Sequence, residues 1–459
     1  MASPVHEVAS KLDTTAAAFV KEHRLPGASV GVVHGDELVW SAGVGFADVP
    51  ARRSQDPAVL HRIASITKTF TGTAIMQLRD DAKLHLDDPV VAYLPELRRS
   101  SSPFGAIETV TIRRLLSHES GLRGDPPGTE WLSATYEGDP AANLARADGF
   151  GTLIPPNRQQ KYSNLGFQLL GETVSRVAGT SYGSYLRANV LDPLGMTATG
   201  FEPLREDLDA RCAVGYHRRS FSDELGPAIV PPAVQAEGGL WSCVEDLGRW
   251  ISLQFREDAG ARDGAQILAG ATLKEMHAAR YLGDDAWTEA WCIAWYAQRK
   301  DDVIWVQHSG GLHGFITNIC FDPKEKVGAI ALLNGDGPAS DLAMALGAVA
   351  RTAVREAAPA IEPPTPTPEP YRDLLGLYAD LDDGLIVRLE WRDAKLTVVD
   401  PEEPTWRPVL NPTDDRDVFV VEDGVRESGE RVTFEREVDG RVRAVDLAGT
   451  RLSRLSPVS

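Results

Sequence analysis

The sequence predicts an α+β protein: an antiparallel sheet flanked by helices with a helical subdomain, followed by a small all-β, barrel-like domain. Three observations carry this expectation. Apolar runs at Ala290–Ala297, Val303–Gln307, Phe315–Phe321 and Val327–Leu333 are joined by short links, so they pair as antiparallel neighbours. Amphipathic segments with helical periodicity occur before, between and after the apolar runs. The stretch Pro359–Pro370 has six prolines in twelve residues, which predicts a stiff, extended spacer. It divides the chain into a catalytic-size domain over 1–358 and an antiparallel β domain over 371–459.

In chain order, Lys11–His23 has the pattern of an amphipathic helix. Ala28–His34 and Glu37–Ala42 form a hairpin around Gly35-Asp36. Val59–Ala64 is an extended entry to a buried helix, because Ile66, Phe70, Ala74, Ile75 and Leu78 recur at helical spacing from Ser65 to about Asp81. Leu84–Pro95 is a proline-bounded connector, and Thr111–Ser117 a short helix. Gly121–Pro156 reads as loop and short helix, a wall for a cleft. Leu165–Ala178 is a helix stopped by Gly179, and Tyr182–Val190 another. Gly200–Ala236 is irregular, Glu245–Phe255 is helical, and Leu342–Glu356 closes the first domain as a helix. Beyond the spacer, Leu385–Trp391, Lys395–Val399, Trp406–Leu410, Asp417–Glu422, Arg431–Glu437 and Val442–Leu447 alternate apolar and polar residues, giving a barrel of six to eight strands.

The 459 residues suffice for two or three domains and a large core. A formal charge of −19 argues against nucleic acid or an anionic membrane surface as a partner. Met1–Lys21 lacks the basic start and apolar run of a secretion signal, and no apolar stretch approaches the ~20 residues that span a bilayer. The four cysteines (212, 243, 292 and 320) are scattered without a C-x-x-C, which suggests neither a zinc site nor a disulfide framework. Cys243, Cys292 and Cys320 sit among apolar residues and read as buried thiols. A reducing cytoplasm is the expected setting.

The chemistry centres on Ser65-Ile66-Thr67-Lys68. On a helix this spacing puts the hydroxyl and the amine on one face, one turn apart. The helix dipole favours negative charge at Ser65, so the pair can serve as nucleophile and base. Taken alone, Ser65 could equally be a helix cap and Lys68 a solvated charge. Two further signals join it. Tyr162-Ser163-Asn164 precedes the Leu165 helix and contains the one Y-x-N of the chain; by itself it would be turn chemistry, with Asn164 capping the helix. His308-Ser309-Gly310-Gly311 follows the Val303–Gln307 strand and contains the one H-x-G. Small residues ending a strand let a substrate backbone approach its edge.

Ser65-x-x-Lys68, Tyr162-x-Asn164 and His308-x-Gly310, in that order, resemble the serine β-lactamase and penicillin-binding-protein superfamily. The Tyr form of the second motif is similar to class C β-lactamases and their esterase relatives. The resemblance runs from about Val5 to Glu356 and includes Leu84–Pro89, Thr111–Leu122, Pro193–Met196 and Glu237–Leu240. The whole chain is similar to members with a C-terminal lipocalin-like β domain, among them D-amino-acid peptidases and peptide thioesterases of the penicillin-binding-protein type. The resemblance implies a β-lactamase/transpeptidase-like fold and acyl transfer through Ser65, with no metal or cofactor. It implies proton transfer by Lys68 and Tyr162 (either can be the base), orientation of Lys68 and the substrate amide by Asn164, and a hydrogen bond from His308 to Tyr162 or substrate. The backbone N–H groups of Ser65 and Gly311, beside Gly310, would form the oxyanion hole.

His308 departs from the Lys that β-lactamases and transpeptidases carry there. A neutral His is a weaker anchor for a substrate carboxylate, which favours small-molecule esters, amides or peptides lacking that group. Three readings stay open: a hydrolase, an acyltransferase or peptide cyclase using the same residues, and a binding or sensor protein on this fold. Two G-x-S-x-G strings, around Ser29 and Ser181, lack the strand–turn–helix context of a nucleophile elbow. Trp287, Trp291 and Trp295 are expected in the core or in a cleft wall.

Overall fold

Gly35 has φ 60° and turns the chain back on itself between β1 (Gly27–His34) and β2 (Glu37–Asp48), the predicted hairpin. In this computed structural model residues 3–126, 144–201, 211–218, 225–227, 235–256, 266–300, 303–312, 314–357, 366–380, 384–401, 407–422 and 428–455 are described. Parts of Gly121–Pro156 and Gly200–Ala236, and most of the proline spacer, lie outside them. Contacts divide the chain into two units, Met1–Ala358 and Pro359–Ser459.

The hairpin and the short β3 (Arg53–Ser54) join a sheet whose other strands come from the end of the unit. These are β4 (Tyr281–Leu282), β5 (Glu289–Trp291), β6 (Tyr296–Lys300), β7 (Val303–Leu312), β8 (Phe315–Asp322) and β9 (Val327–Leu333). The nine strands run in the order β3-β2-β1-β9-β8-β7-β6-β5-β4. β1 pairs with β9 from Ala28↔Leu333 to His34↔Val327, so the two ends of the unit meet at the middle of the sheet. β9 is buried throughout because both of its faces are covered. Ala329 and Ala331 face a core built with Leu12 and Ala16 of the Ala9–Glu22 helix and Leu342 and Leu346 of the Ala339–Ala357 helix. Ile330 and Leu332 face the opposite core, which holds Phe70, Leu170 and Trp250.

The Thr67–Asp80 helix belongs to that second core, and its residues from Thr67 to Leu78 are all buried. Phe70 stacks on Trp250 with ring centroids 3.8 Å apart, and Trp250 Nε1 donates to Thr69 Oγ1 at 3.1 Å. Gly72 is a close approach: a Cβ there would sit 2.4 Å from Ala294 Cβ.

Two strand expectations are corrected. The apolar run Ala290–Ala297 is not one strand, because a tight turn separates β5 from β6. Cys292 N–H donates to Trp295 O at 2.9 Å, and Ala294 takes φ 59° with its N–H on Leu116 O. That puts Trp295 in the core and Trp291 in the cleft. The His308–Gly311 motif, read as following a strand, lies inside one, because β7 continues to Leu312.

The second unit is a closed antiparallel barrel of eight sequential strands. Besides the six anticipated, Gly376–Asp380 and Thr450–Arg454 pair with each other and close it. Tyr378, Leu389, Val398, Phe419, Phe434 and Leu452 are among the side chains of its core, in keeping with a ring of eight strands that side chains can fill. At the end of the proline-rich stretch, Glu369–Arg372 forms a helical turn rather than extended chain, with Pro370 in its opening positions.

Candidate active site

Ser65 sits in a 3₁₀ turn, Ala64–Ile66, that leads directly into the Thr67–Asp80 helix. The turn is entered through Ala64 at φ 46°, a left-handed conformation that a non-glycine residue holds only under constraint. The constraint is visible on both sides. Ile63 N–H donates to Leu240 O at 3.0 Å, and Thr67 Oγ1 accepts from Leu240 N–H at 3.2 Å. From the sheet, Thr317 Oγ1 donates to Ile63 O at 3.1 Å. Lys68 is fully buried one turn along the helix. Its Nζ reaches Ser65 Oγ at 3.1 Å and Glu237 O at 2.6 Å. The Tyr162 and Phe167 rings lie 5.1 and 5.6 Å from the same nitrogen.

Tyr162 enters from the opposite wall, held by its neighbours. Ser163 caps the Asn164–Ala178 helix: its Oγ accepts from Gly166 N–H at 2.9 Å and donates to Arg123 O at 2.7 Å. The Tyr162 ring stacks on the imidazole of buried His118 with centroids 4.3 Å apart. His118 Nδ1 accepts the Ser163 N–H at 3.1 Å, so a neutral ring carries its proton on Nε2. Burial, then Lys68 and His308, holds the His118 pKa well below 6.5.

β7 supplies the third side. Its pairing with β6 ends at Tyr296↔Gln307, so from His308 onward only β8 is paired to it and the other edge borders the cleft. Gly310 presses on the nucleophile turn: a Cβ would lie 2.1 Å from Ile63 O and 2.4 Å from Thr317 Oγ1. Gly311 has open space by comparison, with Ile316 Cδ1 3.7 Å from its Cβ position. His308 is 4 % exposed, and burial together with Lys68 pushes its pKa down to about 3. Its Nδ1 lies 2.7 Å from Ser309 O, which can only accept, so Nδ1 bears the hydrogen. Nε2 therefore presents a lone pair, and it is buried with no partner among the described residues. Ser65, Tyr162, His308 and Gly311 line one cleft of about 440 Å³, together with Trp291, Tyr296, Gln298, Gln307, Ser309, Ser340, Asp341 and Met344. Among the described residues no cluster of three or more His, Cys, Asp or Glu is placed to hold a metal ion.

A serine turn, a tyrosine loop and a glycine-rich strand converging on one cleft make a pattern that other proteins share. The β-lactamase family model matches residues 12–354. The chain belongs to the β-lactamase family. Protein flp of Staphylococcus aureus strain MRSA252 is 28% identical over 333 residues, which are 71% of this chain and 62% of that protein. A structure described as the octameric penicillin-binding protein homologue from Pyrococcus abyssi superposes with TM-score 0.64 at 23% identity, covering 96% of this chain and 99% of that one. A D-stereospecific amidohydrolase from Streptomyces sp. superposes with TM-score 0.61 at 22% identity, covering 74% and 98%. At these identities the two structures speak for the fold.

Within this β-lactamase-family fold the structure brings Ser65, Lys68, Tyr162, His308 and Gly311 together, with Gly310 packed behind the serine. Asn164 differs from expectation in two respects. Ser163, not Asn164, caps the helix, and Asn164 Nδ2 donates to Asp125 at 2.9 Å while its buried Oδ1 has no partner among the described residues. Lys68 Nζ donates instead to the backbone oxygen of Glu237 at 2.6 Å. Ser29 and Ser181 are excluded as nucleophiles: Ser29 is buried on Gln55 and Asp56, and Ser181 caps a helix. All four cysteines are buried thiols outside any disulfide, and burial pushes Cys243, Cys292 and Cys320 up to about 12.

Sequence reasoning missed His118, Gln168 and Glu237 as parts of the site. Glu237 is 4 % exposed and accepts from Gln168 Nε2 at 2.8 Å; burial raises its pKa to about 7 against the opposing pull of Lys68 and Gln168. Glu237–Leu240 and Thr111–Leu122 carry family resemblance but no spacing that would single out these side chains.

Proposed function

We propose that the chain is a serine hydrolase that forms an acyl-enzyme at Ser65 with carboxylic esters or with peptides and amides. The reading rests on the Ser65–Lys68 pair: a buried amine 3.1 Å from a hydroxyl that borders the cleft. The Glu237 carbonyl engages one Lys68 N–H. Lys68 Nζ, 3.1 Å from Ser65 Oγ, takes the Ser65 proton. Ser65 Oγ bonds to the substrate carbonyl carbon, and the π electrons move onto the carbonyl oxygen. The N–H groups of Ser65 and Gly311 receive that oxyanion, each donor contributing ~3 kcal/mol in typical sites. Tyr162 passes its proton to the leaving group as the tetrahedral intermediate collapses and recovers one from Lys68, which returns both groups to their starting state. Water then repeats the sequence on the acyl-enzyme and restores Ser65.

His308 takes part as a neutral acceptor, its Nε2 lone pair open to the Tyr162 hydroxyl or to substrate. Without a cation there, the carboxylate that anchors β-lactams loses its partner, which favours substrates that lack one. The likeness of fold to a D-stereospecific amidohydrolase supports the peptide and amide side of this reading, including a preference for D residues.

The test is intact mass during turnover of short p-nitrophenyl esters, with and without a D-amino acid amide. An acyl adduct on Ser65 that decays to free acid supports the hydrolase. An adduct that persists in water and discharges onto the amine supports acyl transfer or peptide cyclisation by the same residues. Turnover retained by Ser65→Ala would end the proposal.

A further inference from the structure

The cleft past the serine is polar in an ordered way. Asn318, fully buried on β8 beside β7, donates from Nδ2 to Gln307 Oε1 and to Ser340 Oγ, both at 3.0 Å. Gln307 Nε2 in turn donates to Gln298 Oε1 at 2.9 Å. This chain of bonds fixes Gln307, Gln298 and Ser340 across two strands and the start of the Ala339–Ala357 helix. Side chains tied down in this way cost little further entropy when they bind a ligand. From Gly311 back to Gln307 the strand spans roughly 13 Å, at about 3.3 Å per residue.

The charges are one-sided. Asp341 is the one carboxylate among the described residues lining this cleft, and no Lys or Arg lines it; the Lys300, Arg351 and Arg355 side chains line a separate pocket that Asp341 also borders. Lys68 is fully buried behind the serine, and His308 is held neutral. Trp291 and Tyr296 add aromatic faces, which attract cations. Among the described residues lining this cleft an anionic substrate group meets no counter-charge, whereas an ammonium group meets an exposed carboxylate, aromatic rings and prearranged amides.

We infer that this region is a subsite for a protonated amine on the substrate, with Asp341 as its counter-ion and the Gln298–Gln307–Ser340 row beside it. The inference rests on the acyl-enzyme reading only for the reaction used to detect it. Asp341 also lies in the first turn of a 19-residue helix, where a carboxylate is stabilising in its own right. That structural role predicts a change in stability and no change in substrate choice.

The experiment compares kcat/KM for p-nitrophenyl 6-aminohexanoate, p-nitrophenyl hexanoate and mono-p-nitrophenyl adipate, which differ mainly in terminal charge. For an exposed charge pair the expected preference for the ammonium ester over the neutral one is about fivefold, expressed in KM and reduced by salt. Asp341→Asn collapses that ratio, and Asp341→Lys turns it toward the adipate. Equal rates on the three esters, or a ratio that survives Asp341→Asn, overturns the subsite. Calorimetry on Ser65→Ala protein, with 6-aminohexananilide against hexananilide, reads the same preference without chemistry. Equal binding there overturns the subsite whatever the esters do; preferential binding without ester turnover supports the subsite and counts against the acyl-enzyme reading.

Discussion

Lys68 Nζ lies 2.6 Å from the backbone oxygen of Glu237, closer than its 3.1 Å to Ser65 Oγ. The residue that anchors the amine through its main chain carries a side-chain carboxyl that burial keeps from ionising until about pH 7. Main chain and side chain of Glu237 thus act on the site separately, and the side chain can be altered alone.

Glu237→Gln keeps the acceptor for Gln168 and removes the ionisation. With a folded pKa of about 7 against 4.5, ionising Glu237 costs the native state about 3 kcal/mol above pH 7 and nothing below pH 4.5. The carboxyl binds its proton more tightly when folded, so wild-type stability falls as pH rises through this window. Denaturant unfolding should give similar stabilities for wild type and variant at pH 4.5 and a more stable variant at pH 8. Parallel pH curves would refute the assignment.

Ser65→Ala removes the nucleophile from a position that is 8 % exposed and leaves the packing around it intact. Ester hydrolysis should fall by at least about 10³-fold with an unchanged melting temperature. A fall in activity matched by a fall in melting temperature would point to structural damage instead.

The two adjacent glycines should respond differently. Gly310→Ala drives a methyl to 2.1 Å from Ile63 O, backbone that cannot swing away, whereas Gly311→Ala meets ordinary van der Waals distances. Thermal unfolding should show a loss of about 2 kcal/mol for Gly310→Ala and little change for Gly311→Ala. Equal stabilities would mean that strand and turn are not in the contact described.

His308→Lys sets a second amine beside Lys68 in a buried position. Acylation by benzylpenicillin, followed by mass, should rise at least about tenfold through the new carboxylate anchor, and stability should fall from burial of a charge. An unchanged acylation rate would remove the argument from the missing cation. In the wild type, His308 stays neutral down to about pH 3, so kcat/KM should show no inflection near 6.5 that vanishes in His308→Asn.

What was legible in the sequence follows from range. Helices and the β1–β2 hairpin announce themselves through local periodicity and turn residues, and the motif residues Ser65, Lys68, Tyr162 and His308 stand at short, fixed spacings. The break at Cys292–Trp295 was hidden because its cause is distant: Ala294 N–H bonds to Leu116 O. His118 and Glu237 were unreadable for the same reason. One stacks on Tyr162 from 44 positions earlier, and the other reaches Lys68 from 169 positions later, which no local pattern encodes. Asn164 misled because capping and catalytic roles use the same residue types, and its neighbour Ser163 took the cap. The barrel's closing strands, Gly376–Asp380 and Thr450–Arg454, each pair with a sequence neighbour and, across the whole length of the unit, with each other, and that last pairing is the one no local pattern encodes.

The contact between Gly310 and Ile63 has a consequence for how such a protein can change over generations. The Ser65 turn and the Gly310 strand are packed backbone to backbone, so they drift or stay put as one piece. The row from Gln298 to Asp341 lies outside that lock and is built from side chains alone. Changes can accumulate there one substitution at a time, while the packed turn and strand are inherited intact.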